Sequence, residues 1–431
     1  MILQRVRYKD LESWSVKFLN QNQINSKYPV KKLKNYISEK KCKISPYKYP
    51  DRKIKLLGVN NKVGLFDNEI KKGSEINQDY KIVRFNWFAY NPYRINVGSI
   101  GLKSNEQKHK YISPAYVVFK VLNNNLLLSE FLFLIFKTKT FVTLIRNNTK
   151  GSVRQTLSYD ILENLKIPFP DINIQKKLIE KYKKIQQKLR ELKEEYPKLL
   201  REFEKNLFIV KYSQNKSLLR RVKYKDLENW SVKSILGEGI NYNPTYPLVK
   251  LGEILTRDKT QIEIQDNTEY KRVTIKLHNG GIFLRDKKFG KEIGTKKQFV
   301  IKKGQFLLSK IDARNGAFGI VPDELDGAII TGNFWTYNVD YSKIEPLYLT
   351  LITTTKQFVE LCNSASSGTT GRHYLQEDIF LNTKIPLPDT NTQKRLVQSL
   401  KTNLEEQRDL EKKLKKALDE FERKIFEKTS R

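Results

Sequence analysis

One long stretch of this chain is written twice. Arg5-Val6-Arg7-Tyr8-Lys9-Asp10-Leu11-Glu12-Ser13-Trp14-Ser15-Val16-Lys17 returns as Arg221-Val222-Lys223-Tyr224-Lys225-Asp226-Leu227-Glu228-Asn229-Trp230-Ser231-Val232-Lys233. Later landmarks return too: Tyr28-Pro29 as Tyr246-Pro247, Ile167-Pro168-Phe169-Pro170-Asp171 as Ile385-Pro386-Leu387-Pro388-Asp389, and Gln175-Lys176 as Gln393-Lys394. The offset is 216 at Trp14/Trp230 and 218 at Ile167/Ile385. A nearly constant offset across half the chain means tandem duplication of one unit, and the period is too long for a solenoid repeat. Two copies of one domain are expected, and a duplicated binder can hold two separated targets at once.

With 431 residues, each half is long enough to bury its own core, and the length prior is two to four domains. The formal charge of +34 asks for a polyanionic partner, nucleic acid first. A Lys-, Asn- and Ile-rich host composition is the competing source of part of that excess. Cys42 and Cys362 stand at unmatched places in the two copies, so no structural disulfide is expected and a reducing cytoplasm fits. Met1-Ile2-Leu3-Gln4 runs straight into charged residues, which predicts no secretory signal. The most apolar run, Leu126 to Phe136, carries Glu130 and stops at Lys137; it is too short for a bilayer and predicts a buried helix.

Each copy follows one plan. A basic head (1–27, repeated as 220–245) precedes a mixed domain (28–171 and 246–389) and then a long helix (172–208 and 390–431), with a linker at 209–219. Alternating polar and apolar residues in Arg272–Leu277, Lys81–Phe85 and Tyr116–Phe119 predict half-buried strands, and Asn279-Gly280-Gly281 predicts a turn. Leu126–Ile145 and Leu347–Cys362 each read as one helical stretch followed by a polar loop. The Ile-Pro-x-Pro step should stop strand and helix alike, and Asn173 and Asn391 stand where N-caps belong.

Apolar residues then step by threes and fours: Leu178, Tyr182, Ile185, Leu189, Leu192, Tyr196, Leu199, Phe203 and Leu207 in the first helix, Leu396, Leu400, Leu414, Ala417, Phe421 and Ile425 in the second, with a gap around Gln407. Narrow stripes flanked by charge suit a coiled-coil seam, with the other copy's helix as the economical partner. Each helix of roughly 35 residues would be about 50 Å long. Pro197 should kink the first helix or split it.

These features together resemble the specificity subunit of type I restriction–modification systems. Two Ile-Pro-x-Pro-Asp steps lead into Gln-Lys helices. Gly304–Ile320 (Gly-Gln-Phe-Leu-Leu-Ser-Lys-Ile-Asp-Ala-Arg-Asn-Gly-Ala-Phe-Gly-Ile) is similar to the body of that family's target recognition domain, and Ser366-Ser367-Gly368-Thr369-Thr370-Gly371-Arg372 to its DNA-facing loop. The first copy keeps Thr149-Lys150-Gly151-Ser152-Val153-Arg154, while its body motif is nearly unrecognisable around Tyr90–Leu102. The resemblance implies an α+β fold in which two tandem target recognition domains, mixed and mostly β, are separated by two long antiparallel coiled-coil helices. It implies a non-catalytic subunit whose two domains each read half of a split double-stranded DNA target. Two modification subunits would methylate adenine with S-adenosylmethionine, and a restriction subunit would cleave with ATP and Mg. No cofactor is expected on this chain itself. The helix length predicts a gap on the order of six to nine base pairs between half-sites.

Candidate contacts follow from residue type. In the loop of the second copy, Ser367, Gly368, Thr369, Thr370 and Arg372 suit phosphate or guanine; Lys150, Gly151, Ser152 and Arg154 are their counterparts. Lys310, Arg314 and Asn315, with Asp312, form either a solvated turn or a base-reading one. Arg84, Asn86, Tyr90, Arg94 and Lys108 are the candidates in the first domain. For Tyr90 or Tyr93 alone a core role is the safer reading, and Lys103, Lys108 and Lys110 are either phosphate contacts or merely exposed. Leu178, Ile185, Leu192, Phe203, Leu396, Leu400, Leu414 and Phe421 are the expected seam. Trp14 and Trp230 suit packing of the heads, and His109, His278 and His373 show no metal-site spacing.

Enzymatic readings lack parts. There is no GxxxxGK[ST] loop. Asn91-Pro92-Tyr93 is one proline short of an adenine methyltransferase motif and reads as a turn. No nuclease centre is evident. A stand-alone nucleic-acid-binding scaffold without restriction partners, and a structural coiled-coil protein with basic flanks, are the alternatives.

Overall fold

The computed structural model describes residues 24–61, 63–149, 156–208, 242–367 and 374–426. The heads around Trp14 and Trp230, and the linker, lie outside them. The chain forms two compact units: residues up to Arg190 together with those from Arg408 onward, and Glu191–Gln407. Each unit therefore takes one stretch of both long helices.

The duplication is legible in the sheets. In the first unit a five-stranded sheet runs in the order Lys43–Ile44, Tyr80–Ile82, Tyr111–Ile112, Lys53–Asn60, Gly64–Lys72, and a four-stranded sheet in the order Ile37–Glu39, Val117–Val121, Trp87–Tyr90, Ile100–Leu102. The second unit repeats both orders, as Gln261–Glu263, Lys297–Val300, Ile329–Ile330, Glu269–Ile275, Ile282–Phe289 and as Leu255–Asp258, Phe334–Val339, Phe306–Ser309, Phe318–Ile320. Even the irregularities match: each long hairpin shifts register once, at Lys55/Leu57 and at Arg272/Val273.

Eight helices are described: α1 (Ser129–Lys137), α2 (Lys139–Asn148), α3 (Tyr159–Asn164), α4 (Ile172–Leu207), α5 (Pro346–Thr354), α6 (Lys356–Ser364), α7 (Glu377–Asn382) and α8 (Thr390–Ile425). The stretches 126–145 and 347–362, expected as single helices, are each two. A buried threonine breaks them. The Thr138 hydroxyl donates to the Ile135 carbonyl (2.7 Å) and accepts from Phe141 N–H (3.3 Å). Thr355 does the same with Ile352 (2.7 Å) and Phe358 (3.2 Å). One side chain thus ends one helix and caps the next.

The Ile-Pro-x-Pro step also differs from expectation. Its first proline lies in a strand: Lys166–Pro168 pairs with Val30–Lys32, and Lys384–Pro386 with Leu248–Lys250. A two-stranded ribbon has an unpaired side for a residue without an N–H. The helix caps are not Asn173 and Asn391 but the aspartates two residues earlier. Asp171 accepts from Asn173 N–H (2.8 Å), and Asp389 from Asn391 and Thr392 N–H (both 3.0 Å). The bond from the Thr392 hydroxyl, with those backbone donors, holds the Asp389 carboxyl below its usual range.

The repeated glutamine has a structural task. Gln175 is fully buried; it accepts from Leu128 N–H (2.9 Å) and donates to the carbonyls of Leu126 (2.9 Å) and Pro170 (3.0 Å). Gln393 accepts from Glu345 N–H (2.8 Å) and donates to Lys343 (2.9 Å) and Pro388 (2.7 Å). Each glutamine ties the start of a long helix to the segment that enters α1 or α5, with every bond satisfied.

Each long helix has 36 residues, and α4 is not split at Pro197. In the first unit Leu178, Ile179 and Tyr182 of α4 share a core with Leu418, Phe421 and Ile425 of α8; Phe421 meets Phe131 edge-on at 5.6 Å, and Lys181 pairs with Glu420 at 2.7 Å. In the second unit Tyr196, Leu199, Phe203 and Leu207 share a core with Leu396, Val397 and Leu400, and Phe203 packs against Tyr348 at 5.7 Å. The start of α4 therefore meets the end of α8 in one unit, and the end of α4 meets the start of α8 in the other. Of the seam residues, Phe203, Leu400 and Phe421 are buried, and Leu178, Ile185, Leu192, Leu396 and Leu414 half-buried. The gap in the α8 stripe holds Asn403 and Gln407, followed by Leu410.

Candidate nucleic-acid interface

The body motif evident in the second copy has a counterpart in the first. Strand Phe306–Ser309 leads through a turn into the short 3-10 helix Ala313–Asn315, then Gly316 at φ 75°, then strand Phe318–Ile320. Strand Trp87–Tyr90 leads into the 3-10 helix Ile95–Val97, then Gly98 at φ 84°, then strand Ile100–Leu102. Gly98 and Gly316 are 218 apart, the offset of the Ile-Pro pairs. Their hydrogen bonds correspond: Gly98 N–H to Ile95 O (2.8 Å) and Gly316 N–H to Ala313 O (2.9 Å), then Ser99 N–H to Arg94 O and Ala317 N–H to Asp312 O (both 3.1 Å). A left-handed residue lets the chain reverse here, and glycine takes that φ without a Cβ penalty.

What the two turns display differs. Where one has Lys310, Asp312, Arg314 and Asn315, the other has Pro92, Arg94, Asn96 and Val97. Sequence reading missed Asn96 and Val97; applying the offset from Gly316 to Gly98 would have found them.

The described residues that follow the polar loops bond to these turns. Leu157 N–H donates to Pro92 O (3.1 Å), and Leu375 N–H to Lys310 O (2.8 Å). In the second copy the strands Ser366–Ser367 and Tyr374–Leu375 pair, which brings the two ends of the loop together beside the turn. Lys150, Gly151, Ser152 and Arg154, and Gly368, Thr369, Thr370 and Arg372, lie outside the described residues, as does His373. Ser367 is placed by its backbone alone.

Other candidates divide. Arg94 and Lys108 are exposed, as is Arg84, whose guanidinium sits 5.6 Å from the centre of the Trp87 ring. Asn86 is half-buried at φ 64°. The Lys108 backbone N–H is held by the Asp67 carboxylate (2.9 Å). Lys310 and Arg257 both stand over the Trp335 ring, at 5.6 and 5.1 Å, a cation–π cluster unseen from sequence. Arg314 and Asn315 are half-buried on their turn.

Two readings are corrected. Tyr90 has no exposed surface; its hydroxyl donates to Leu157 O (3.2 Å), and burial pushes its pKa far up, so it is core and reaches no DNA. Lys103 is buried, and its ammonium donates to the carbonyls of Gln107 (2.7 Å) and His109 (2.6 Å). It closes the 103–109 loop and is not a phosphate contact.

The described part of the site offers ammonium, guanidinium and amide donors on turns, the groups that contact phosphates and base edges. Among the described residues no His, Cys, Asp or Glu group could hold a metal ion, and no helix is long and apolar enough to cross a membrane. Cys42 and Cys362 are both free.

Comparison with known proteins agrees with the duplication. A family profile described as a type I restriction modification DNA specificity domain matches residues 29–202 and again 245–420. The type I restriction enzyme MjaVIII specificity subunit of Methanocaldococcus jannaschii is 23% identical over 366 residues, spanning 79% of this chain and 76% of that one. Among solved structures, the type I restriction–modification S subunit from M. genitalium is 14% identical with a TM-score of 0.45, covering 95% of this chain and 98% of its own. The HsdS subunit from Thermoanaerobacter tengcongensis is 15% identical with a TM-score of 0.33, covering 93% and 96%.

Proposed function

Because this chain belongs to the family of type I restriction–modification DNA specificity subunits, we propose that it reads a split double-stranded DNA target, one domain per half-site. The observation that carries this reading is the pair of equivalent turns with different side chains: the same framework, Gly98 and Gly316, presents Arg94-Asn96-Val97 in one copy and Asp312-Arg314-Asn315 in the other. Identical domains would read identical half-sites; these do not present the same groups.

The net charge of +34 supplies the sequence-independent attraction to phosphate, and the turns and loops supply discrimination. Each 36-residue helix is about 54 Å long. A gap on the order of six to nine base pairs between half-sites suits that length. The chain itself is non-catalytic in this reading. Two modification subunits dock on it and methylate adenine with S-adenosylmethionine, and a restriction subunit brings ATP- and Mg-dependent cleavage, in the cytoplasm where the DNA is.

Co-purification of the tagged full chain with a type I modification methyltransferase of the same host tests the assembly. A complex holding two methyltransferases per chain supports it. A chain that binds duplex DNA at raised salt but retains no methyltransferase favours a stand-alone nucleic-acid-binding scaffold, a reading to which the charge alone also points.

A further inference from the structure

The turn that carries Arg314 and Asn315 is covered by another turn. Residues 276–281 join the strands Glu269–Ile275 and Ile282–Phe289, and within them His278 and Asn279 both take left-handed φ values, 56° and 57°. Their backbone N–H groups donate to the carbonyls of Asn315 (2.7 Å) and Gly316 (3.0 Å). The Asn279 side-chain amide donates to the Thr354 carbonyl at the end of α5 (2.9 Å). A Cβ on Gly316 would lie 2.6 Å from Asn279 Oδ1 and 2.9 Å from its backbone nitrogen. The hairpin turn is seated on bare glycine backbone.

The first copy solves the same problem differently. Its hairpin is shorter, closing between Asn60 and Gly64, and a Cβ on Gly98 would meet nothing within 4 Å. Instead the Lys137 ammonium donates to the carbonyls of Gly98 and Ile100, both at 3.2 Å. Lys137 is the last residue of α1, the place that Thr354 holds in α5. Arg146 adds a bond from Nε to the Asn96 carbonyl (2.8 Å).

We propose that Asn279 and Lys137 are positioning residues, each fixing the reading turn of its own copy and so the specificity of one half-site alone. This rests on the DNA-reading function proposed above. Direct readout needs donors held in register with base edges. Each turn is pinned from behind by a group that itself points at backbone, not at DNA. Position 279 needs a residue that tolerates a left-handed φ and also carries a donor, which asparagine supplies and glycine supplies only in part.

The test compares methylomes of cells expressing the full chain with a type I modification methyltransferase of the same host, as wild type, Asn279→Asp, Asn279→Gly or Lys137→Met. Asn279→Asp keeps the shape and turns the donor facing the Thr354 carbonyl into an acceptor. It should make one half of the split motif degenerate, with discrimination there falling about tenfold, and leave the other half intact. Lys137→Met should do this to the opposite half, and Asn279→Gly should weaken the same half as Asn279→Asp but less. Loss at both halves together, at the same half for both positions, or at neither, overturns the proposal. A wild-type chain that directs no split motif sinks the recognition reading itself, and this inference with it.

Discussion

The side-chain amide of Asn403 donates to the backbone carbonyl of Leu192 at 3.2 Å, five residues before Pro197. It also donates to Glu195 (3.1 Å) and accepts from Gln407 (2.6 Å), with only 4% of its surface exposed. The gap in the apolar stripe of α8 thus faces the Leu192–Glu195 turn of α4. A polar residue in a seam specifies register at a cost in stability. Asn403→Leu should therefore raise the unfolding free energy by about 1 kcal/mol, measured by chemical denaturation. A loss of that size would show instead that the amide is needed to hold α4 against α8.

Gln175 and Gln393 should be far less tolerant. Truncating either to alanine leaves one buried N–H and two carbonyls without partners, at a cost of about 2–4 kcal/mol. Their replacement by glutamate puts a carboxylate oxygen against two carbonyls and should cost at least as much. A melting temperature within 1 °C of wild type (about 0.3 kcal/mol or less) would contradict the clamp.

The two left-handed glycines should separate. Gly98→Ala pays only for its φ, about 1 kcal/mol. Gly316→Ala pays that and must also displace Asn279, including its backbone nitrogen, for a total of about 2–4 kcal/mol. Equal losses in paired denaturation curves would mean that the hairpin turn yields freely.

Lys137 gives a pH signature. Burial pushes its ammonium from near 10.5 down to about 8. Below pH 8 both folded and unfolded chains hold the proton, and the folded state bears the whole burial cost. Between about 8 and 10.5 the unfolded chain still binds a proton that the folded chain has released, so stability rises with pH there. Relative to Lys137→Met, wild type should gain up to about 1.4 kcal/mol per pH unit across that window and nothing between pH 6 and 7. A relative loss above pH 8 would contradict the assignment.

Much of this architecture was legible because the repeat multiplies weak signals. The strands around Arg272 and Val117, the turn at Asn279-Gly280, and the long helices all follow from local pattern. Tyr90 stayed open between core and contact because its strand is buried on both faces: Phe88 and Tyr90 enter one core and Ala89 another. No polar alternation marks it as interior. Lys103 looked like its exposed neighbours Lys108 and Lys110, since the carbonyls that bury it come from a loop folding back. The helix breaks at Thr138 and Thr355 hid in otherwise helical runs, because a threonine is neutral until its hydroxyl finds both neighbours. The counterpart of the body motif at Gly98 was masked by changed side chains on an unchanged backbone, which is what divergent specificity on a shared frame produces.

The most direct measurement is a methylome of cells carrying a type I modification methyltransferase of the same host, with and without this chain. The account predicts a gapped, two-part adenine motif present only with the chain, its gap on the order of six to nine base pairs. A continuous motif, or a methylation pattern unchanged by the chain while the methyltransferase is active, would contradict it.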